Sequence, residues 1–182
     1  MSPAVEHAVE LALDDAAAAA VGALMDALEA SGVVPIRAAS RHAHPHVSLA
    51  VARDGEPAAL AARLGGLAPA HLALVLSSLG VFCTPEAVVF LGVTPHAALL
   101  ELNAAVHARL DAGGVAVRDV YRPGAYVPHC TLAMHVGDPA SAVRALAGAP
   151  LPIRASATAL RVVEVPTGSV RAVVDAPGVR DV

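Results

Sequence analysis

The chain has 182 residues, with 12 basic and 16 acidic side chains and a formal net charge of −4. Hydrophobic residues make up 56% of the chain and charged residues 15%, a balance that excludes intrinsic disorder. The acidic balance also argues against a protein that binds long nucleic acid through a broad basic surface. No stretch of about 18 residues escapes interruption by charge, glycine or proline, so we expect no membrane span. Two cysteines without metal-ligand spacing and an N-terminus without a leader pattern favour a cytoplasmic protein with reduced thiols.

The predicted elements mix strands and helices along the whole chain. Alternating and β-branched patterns predict strands over 7–13, 44–53, 71–77, 81–83, 87–93, 128–136, 153–165 and 170–175. Capping residues and helical periodicity predict helices over 15–31, 56–67, 94–111 and 138–147. Thr94 is the expected N-cap of the third helix, with Pro95 in its first turn. Segments 35–43 and 115–127 have no clear helical pattern, and the second is expected to be a loop or a short strand. This order favours an α+β fold over an alternating parallel sheet.

One hexapeptide pattern, P-H-x-[S/T]-L-A, occurs twice, at 45–50 and at 128–133. Two copies of one pattern indicate an internal duplication. Because side chains two positions apart on a strand point to the same face, each copy should present its imidazole and its hydroxyl together. The residue between them, Val47 in the first copy and Cys130 in the second, should face the apolar core.

The two copies together supply two imidazoles and two hydroxyls, on His46, Ser48, His129 and Thr131. One imidazole can take a proton from an attacking oxygen while the other gives a proton to a leaving oxygen, each contributing about 10²- to 10⁴-fold. An unperturbed imidazole pKa of about 6.5 makes both forms accessible at neutral pH. The hydroxyls of Ser48 and Thr131 would donate hydrogen bonds to the non-bridging oxygens of a phosphoryl group. This chemistry needs no metal and no other cofactor.

The paired H-x-[S/T]-x motifs at 46–49 and 129–132 resemble those that define the 2H phosphoesterases, the 2′-5′ RNA ligase-like superfamily. Tyr126, three positions before His129, also matches a form common in this family. The resemblance implies a single bilobal α+β domain over 1–182, with two pseudo-twofold-related lobes of mainly antiparallel sheet and outer helices around a central cleft. It also implies a metal-independent phosphoesterase acting on 2′,3′-cyclic phosphates or 2′-5′ linkages. The partner would be a small nucleotide or an RNA terminus, and we expect a monomer.

Arginine and tyrosine side chains near the second motif are candidate substrate contacts. Arg122 can make two hydrogen bonds to a phosphate through its planar guanidinium, with ordinary surface charge as the alternative. Tyr121 and Tyr126 can stack on a base, although Tyr126 can equally pack beneath the second motif strand. The other arginines that precede a motif are Arg37, Arg41 and Arg118.

Two alternatives use the same residues differently. A degenerate relative would keep the cleft and bind a nucleotide or an RNA end without turning it over. His42, His44 and His46 would align three imidazoles on one face of a straight strand, as in a metal site, but Pro45 weakens that geometry. We therefore favour the enzyme and predict no metal site.

Overall fold

The computed structural model describes residues 5–39, 42 and 44–175. Its strands are β1 (His7–Leu13), β2 (His46–Ala52), β3 (Leu72–Phe82), β4 (Val88–Val93), β5 (His129–Ala133), β6 (Ile153–Glu164) and β7 (Val170–Val173). Its helices are α1 (Asp15–Ala30), α2 (Ile36–Ala39), α3 (Pro57–Arg63), α4 (Ala97–Ala112) and α5 (Pro139–Ala145), with a 3-10 turn at Asp119–Tyr121.

Seven strands of the described part form one antiparallel sheet in the order β2-β1-β6-β3-β4-β5, with β7 also paired to β6. The strand order is symmetric between the two halves of the chain, with β1, β2 and β3 of the first half equivalent to β4, β5 and β6 of the second. Replacing each strand by its equivalent gives the same order in reverse. β1 pairs with β6 and β4 pairs with β3, so each half of the chain places its third strand beside the first strand of the other half. The α+β fold with two pseudo-twofold-related lobes, predicted from the sequence, is confirmed.

The two motif strands, β2 and β5, end the sheet on opposite sides and nevertheless lie against each other. The buried thiol of Cys130 on β5 contacts the backbone of His46 on β2. The free edge of β2 is covered by the second half of the chain, because Asn103 on α4 donates to the carbonyl of Leu49 at 2.8 Å. The backbone of Arg118 likewise donates to the carbonyl of Val51 on β2 at 2.9 Å. These contacts bring the two motif strands side by side.

Helix α1 shows how the sequence builds the layer behind the sheet. Asp14 accepts a hydrogen bond from the N–H of Ala17 at 2.9 Å and so caps the first turn, as Asp, Asn, Ser and Thr commonly do. The buried face of the helix repeats at helical spacing and consists of Ala17, Val21, Leu24, Met25 and Leu28. Within the described ranges, no helix combines the length and the apolar character needed to cross a membrane.

Three sequence predictions are wrong in detail. The runs 71–77 and 81–83 are one strand, β3, because the residues between them pair with β4. Helix α4 begins at Ala97 after His96 rather than at Thr94, since the N–H of Thr94 donates to the carbonyl of Val75 and continues the sheet. The short helix α2 lies in the segment 35–43 that was expected to be irregular.

Candidate active site

The alternation predicted for the two motifs is present on both strands. His46 and Ser48 are half-buried on one face of β2, and His129 and Thr131 are half-buried on one face of β5. The residues at the alternate positions of the two strands are fully buried in the core: Val47, Leu49, Cys130 and Leu132. Burial raises the pKa of the Cys130 thiol to about 12, so this cysteine stays protonated and packs as an apolar side chain. The structure therefore places the imidazole and the hydroxyl of each motif together on one face of its strand.

The two motif histidines are anchored in the same way. Nδ1 of His46 lies 2.7 Å from the carbonyl oxygen of His44, and Nδ1 of His129 lies 2.7 Å from that of Val127. A carbonyl oxygen can only accept, so Nδ1 carries the proton and donates in both rings. In each case the carbonyl belongs to the residue before the motif proline. Nε2 is therefore the nitrogen left for proton transfer with a substrate.

A buried carboxylate lies beside the first histidine. Glu10 on β1 is 1% exposed, and its Oε2 is 3.4 Å from Nε2 of His46. Nε2 of His44 lies 2.6 Å from the other carboxylate oxygen, and Nδ1 of His44 lies 3.0 Å from the carbonyl of His42. The hydrogen bond to Glu10 raises the pKa of His44, against the opposing effect of burial. Glu10 thus forms a hydrogen bond with the imidazole of His44 and lies close to the imidazole of His46.

Two phenyl rings lie beside the second histidine instead. The ring centroid of Phe82 is 4.9 Å from that of His129 in an edge arrangement, and that of Phe90 is 5.3 Å away. Burial lowers the pKa of His129, and the nearby charge of His46 acts in the same direction, whereas the hydrogen bond to Val127 opposes them. The apolar surroundings disfavour the charged form of this imidazole.

The strand registers show that these different neighbours occupy equivalent places. Glu10 pairs with Ser48 on β2 and with Arg161 on β6. Phe90 pairs with Thr131 on β5 and with Gly80 on β3. A Cβ atom at Gly80 would lie 2.4 Å from Cζ of Phe90, so glycine leaves room for the ring. The duplicated halves therefore place a carboxylate and an arginine in one lobe where the other has a phenyl ring and a glycine.

Two tyrosines hold Ser48 from the second half of the chain. The hydroxyl of Tyr126 donates to the carbonyl of Ser48 at 3.0 Å, and the Ser48 side chain lies near the Tyr121 phenol. Burial raises the pKa of both phenols. Asn103 donates to the carbonyls of Leu49 and Tyr121, at 2.8 and 3.0 Å. The first motif is thus fixed by side chains that lie far from it in sequence.

Arg122 lies outside this network, and its guanidinium forms ion pairs with two carboxylates. It contacts both oxygens of Asp111, at 3.0 and 3.1 Å, and Asp119 at 3.3 Å. A phosphate contact from Arg122 stays a prediction, and it would require exchange of these partners. The other arginines considered from the sequence are also paired or lie elsewhere: Arg37 with Asp26 and Glu29, Arg118 with Glu6, and Arg41 outside the described residues.

Among the residues that the structure describes, Glu10, His44 and His46 form a group that could hold a metal ion, since one ligand atom from each lies within 4.8 Å of the others. The set differs from the one considered in the sequence, because Glu10 takes the place of His42. Nε2 of His44 and Oε1 of Glu10 are 2.6 Å apart, closer than the roughly 3.3 Å between ligands of a tetrahedral zinc ion. The arrangement fits a hydrogen-bonded pair better than a metal site.

A groove of about 550 Å³ adjoins the second motif. Phe90 and Gly92 of β4 form part of its lining, Tyr126 and Pro128 lie on the loop before β5, and Leu100 lies on α4. None of its twelve lining residues is charged. The groove is suited to an uncharged, largely apolar group beside His129.

Sequence reasoning missed Glu10, Phe82, Phe90 and Asn103. The one available signal was Glu10 itself. It is the one carboxylate in the strand His7–Leu13, whose residues after His7 are otherwise all apolar. A charged residue in a fully buried strand is expected to have a specific partner. The partner could not be named, because it depends on the pairing of β1 with β2.

Comparisons with known proteins agree with the fold. The sequence matches the 2′-5′ RNA ligase superfamily over residues 12–168. A search of the curated proteins found no match. A crystal structure of E. coli LigT complexed with NADP+ is 18% identical, with a TM-score of 0.63, covering 96% of each chain. A crystal structure described as a phosphoesterase is 17% identical, with a TM-score of 0.60, covering 92% of this chain and 93% of its own. The match over most of the sequence shows that this chain belongs to the 2′-5′ RNA ligase superfamily.

Proposed function

We propose that this protein is a metal-independent phosphoesterase that acts on 2′,3′-cyclic phosphates or 2′-5′ linkages of nucleotides or RNA ends. The observation that carries the proposal is the pair of motif histidines, each with Nδ1 anchored on a carbonyl and each beside a hydroxyl. Membership of the superfamily supports a phosphoesterase-type function. The substrate class and the mechanism are the part that we propose.

Hydrolysis of a cyclic phosphate would proceed with two proton transfers at Nε2 atoms. One neutral imidazole takes a proton from water as the water oxygen bonds to phosphorus. The bond from phosphorus to the 3′ oxygen breaks, and the other imidazole, initially protonated, gives its proton to that oxygen. The products are a 2′-phosphate and a 3′-hydroxyl. The two rings have then exchanged protonation states, and solvent restores them.

Ser48 and Thr131 would hold the phosphoryl group between the histidines. Their hydroxyls can donate to the non-bridging oxygens, where negative charge is stabilised through the transition state. The Tyr121 phenol lies near the Ser48 side chain and would orient its hydroxyl before substrate binds. Tyr126 would contribute as a wall of the neighbouring groove.

The groove beside His129 supports a nucleoside as the rest of the substrate. Its lining is uncharged and includes the rings of Phe90 and Tyr126, against which a base can stack. The relative from E. coli was crystallised with NADP+, a dinucleotide. A base in the groove would place its attached phosphate toward the second motif.

The test is turnover of 2′,3′-cyclic nucleotides and of a short RNA that ends in a cyclic phosphate, in excess EDTA. We expect a 2′-phosphate product, with losses of about 10²- to 10⁴-fold in His46→Ala and in His129→Ala. His71→Ala, at an exposed histidine before β3, is the matched control and should keep full activity. Binding of the nucleotide without turnover by the wild type would instead identify a non-catalytic binding protein. Activity retained by both motif variants would refute the two-histidine mechanism.

A further inference from the structure

The lobe of the first motif contains an arginine that is not paired with an acidic side chain. Arg161 on β6 is half-buried. Within residues 5–39, 42 and 44–175, no carboxylate lies within ion-pair distance of its guanidinium. We propose that Arg161 binds a second phosphate of the substrate, carried on the 5′ oxygen of the nucleoside whose 2′,3′-cyclic phosphate reacts. This inference rests on the proposed phosphoesterase function and adds a binding residue outside both motifs.

The sheet register places Arg161 on the face that carries the first motif. Arg161 pairs with Glu10 on β1, and Glu10 pairs with Ser48 on β2. Residues directly opposite each other in an antiparallel sheet share a face, so the three side chains form one row across the lobe. Neighbouring strands are about 4.8 Å apart, which puts the backbones of Arg161 and Ser48 about 10 Å apart. The row therefore connects the hydroxyl that would hold the reacting phosphate with the guanidinium.

Glu10 lies between these two residues but makes its contacts with histidines. One of its carboxylate oxygens is 2.6 Å from Nε2 of His44, and the other is 3.4 Å from Nε2 of His46. The hydrogen bond to Glu10 raises the pKa of His44, whereas the positive charge of Arg161 opposes that rise. The guanidinium is therefore close enough to the first motif for its charge to act there. Its N–H groups are available to donate to an anion.

The other lobe has the opposite character at the equivalent place. Gly80, in register with Phe90, occupies the position that Arg161 occupies beside Glu10. The groove next to His129 has an uncharged lining, which suits a base. A phosphate buried there without a cationic partner would lose its hydration at a high cost in free energy. A nucleoside with its base in this groove and its cyclic phosphate between the motifs would therefore direct its charged 5′ side toward Arg161.

The span between Ser48 and Arg161 suits two phosphates on one nucleoside. A single ribose separates the 2′,3′-cyclic phosphate from a phosphate on the 5′ oxygen, so the second phosphate can reach only residues near the first. An extended arginine side chain covers much of the distance of about 10 Å between the two backbones. Its planar guanidinium can then donate two parallel hydrogen bonds to the phosphate oxygens.

Two kinds of substrate carry a phosphate at this position. A free nucleotide has a phosphate monoester on its 5′ oxygen, and an RNA end has the phosphodiester that joins it to the preceding nucleotide. Both present non-bridging oxygens to a guanidinium, so the site at Arg161 recognises the chemistry that they share. A cyclic nucleotide with a free 5′ hydroxyl lacks this group and should be a poorer substrate.

The kinetic test compares three adenosine 2′,3′-cyclic phosphates, which carry a hydroxyl, a phosphate or a preceding adenosine 3′-phosphate unit at the 5′ position. For the wild type, we expect kcat/KM to be about 10- to 100-fold higher for each phosphorylated ester than for the hydroxyl form, mainly through KM. In Arg161→Gln, the three values should become nearly equal. Arg161→Lys should keep part of the preference, because it retains the charge without the planar fork. A difference between the two phosphorylated esters identifies which source of phosphate fits the site better.

Arg154→Gln is the matched control on the same strand. Arg154 is exposed and lies about 20 Å from Arg161 along β6, too far for a phosphate on the same nucleoside. This variant should keep the wild-type preference. An equal loss of preference in Arg154→Gln would show that general positive charge attracts the substrate, and it would refute a site at Arg161. An arginine that merely balances the charge of Glu10 would slow all three esters alike in Arg161→Gln, with the preference retained.

A binding experiment separates this inference from the proposed function, because it needs no turnover. Isothermal titration calorimetry compares adenosine 2′-phosphate with adenosine 2′,5′-bisphosphate. We expect the bisphosphate to bind the wild type about 10- to 100-fold more tightly, and the two to bind Arg161→Gln equally. If the wild type hydrolyses none of the esters but shows this binding pattern, the phosphoesterase function fails and the phosphate site stands. If the wild type binds both nucleotides equally, or binds neither, the site at Arg161 is refuted whatever the activity.

Discussion

Asn103 is the residue through which helix α4 fixes the first motif, and its replacement by alanine should destabilise the protein and the site together. The side chain is 1% exposed, and its amide donates to the carbonyls of Leu49 and Tyr121, at 2.8 and 3.0 Å. Each hydrogen bond contributes about 0.5–1.5 kcal/mol net, and a buried carbonyl left unpaired costs more. Leu49 keeps a second donor, Nε2 of His107 at 3.2 Å. We therefore expect Asn103→Ala to lower the free energy of unfolding by about 2–3 kcal/mol.

The assay is urea unfolding, with the midpoint and the slope fitted separately. A lower midpoint with an unchanged slope would indicate lost stability without a change in the surface exposed on unfolding. Asn103→Asp is the matched variant, because it keeps the size and replaces the donor by an acceptor that faces two carbonyls. It should cost at least as much as alanine. Glu101→Ala, at an exposed position of the same helix, should change stability by less than about 0.5 kcal/mol.

The reasoning would be refuted by a loss below about 0.5 kcal/mol in Asn103→Ala, or by wild-type stability in Asn103→Asp. Turnover under conditions where the variants remain folded gives a second readout. Leu49 follows Ser48, and the Tyr121 phenol lies near the Ser48 side chain. The hydroxyls of Ser48 and Tyr121 should therefore both be held less firmly when Asn103 is lost. We expect kcat to fall by more than the folded fraction explains.

Three further predictions concern charge and the groove. Leu100→Glu, at the exposed rim of the uncharged groove, should raise KM for nucleoside cyclic phosphates at least several-fold, and Leu100→Met should not, as steady-state kinetics can check. The hydrogen bond to Glu10 raises the pKa of His44 in the folded protein. The stability that this hydrogen bond contributes is therefore fully present below about pH 6.5, the pKa of an unperturbed histidine, and is lost as pH rises through the raised pKa of the folded protein. His44→Ala should therefore destabilise the protein more at about pH 6 than at about pH 9 in chemical denaturation, and an equal loss at both would contradict this sign. If Arg122 reaches the substrate, Arg122→Ala raises KM. Asp111→Asn, which leaves Asp119 as the only carboxylate that the structure pairs with this guanidinium, lowers KM. Unchanged KM in both variants removes Arg122 from the site.

The features that could be predicted from the sequence are those encoded within one strand. The hexapeptide repeat and the alternation of side chains gave the shared faces of His46 with Ser48 and of His129 with Thr131. Capping also located helix α1, since Asp14 caps the turn that follows it. Each of these predictions needs only the two-residue period of a strand or the first turn of a helix.

The features that could not be predicted depend on strand pairing between distant segments. Glu10 meets His46 only because β1 pairs with β2 in one particular register. Phe82 and Phe90 reach His129 through β3 and β4, and no local pattern marks either ring as a neighbour of the motif. The unequal chemistry of the two histidines therefore lies in the sheet register rather than in the motifs.

The exchange of third strands between the two halves has a consequence for how the protein could be divided. The strands around His46 are β2, β1 and β6, and those around His129 are β5, β4 and β3. A backbone nick in the connection 83–87 would leave each fragment with a strand that has lost its neighbour and an apolar face open to water. Neither fragment would be a stable unit, but the two could recombine by restoring the pairs β1 with β6 and β3 with β4. The two halves of the chain thus exchange strands as the subunits of a strand-swapped dimer do. The two motif histidines are therefore placed correctly only when both halves are folded together.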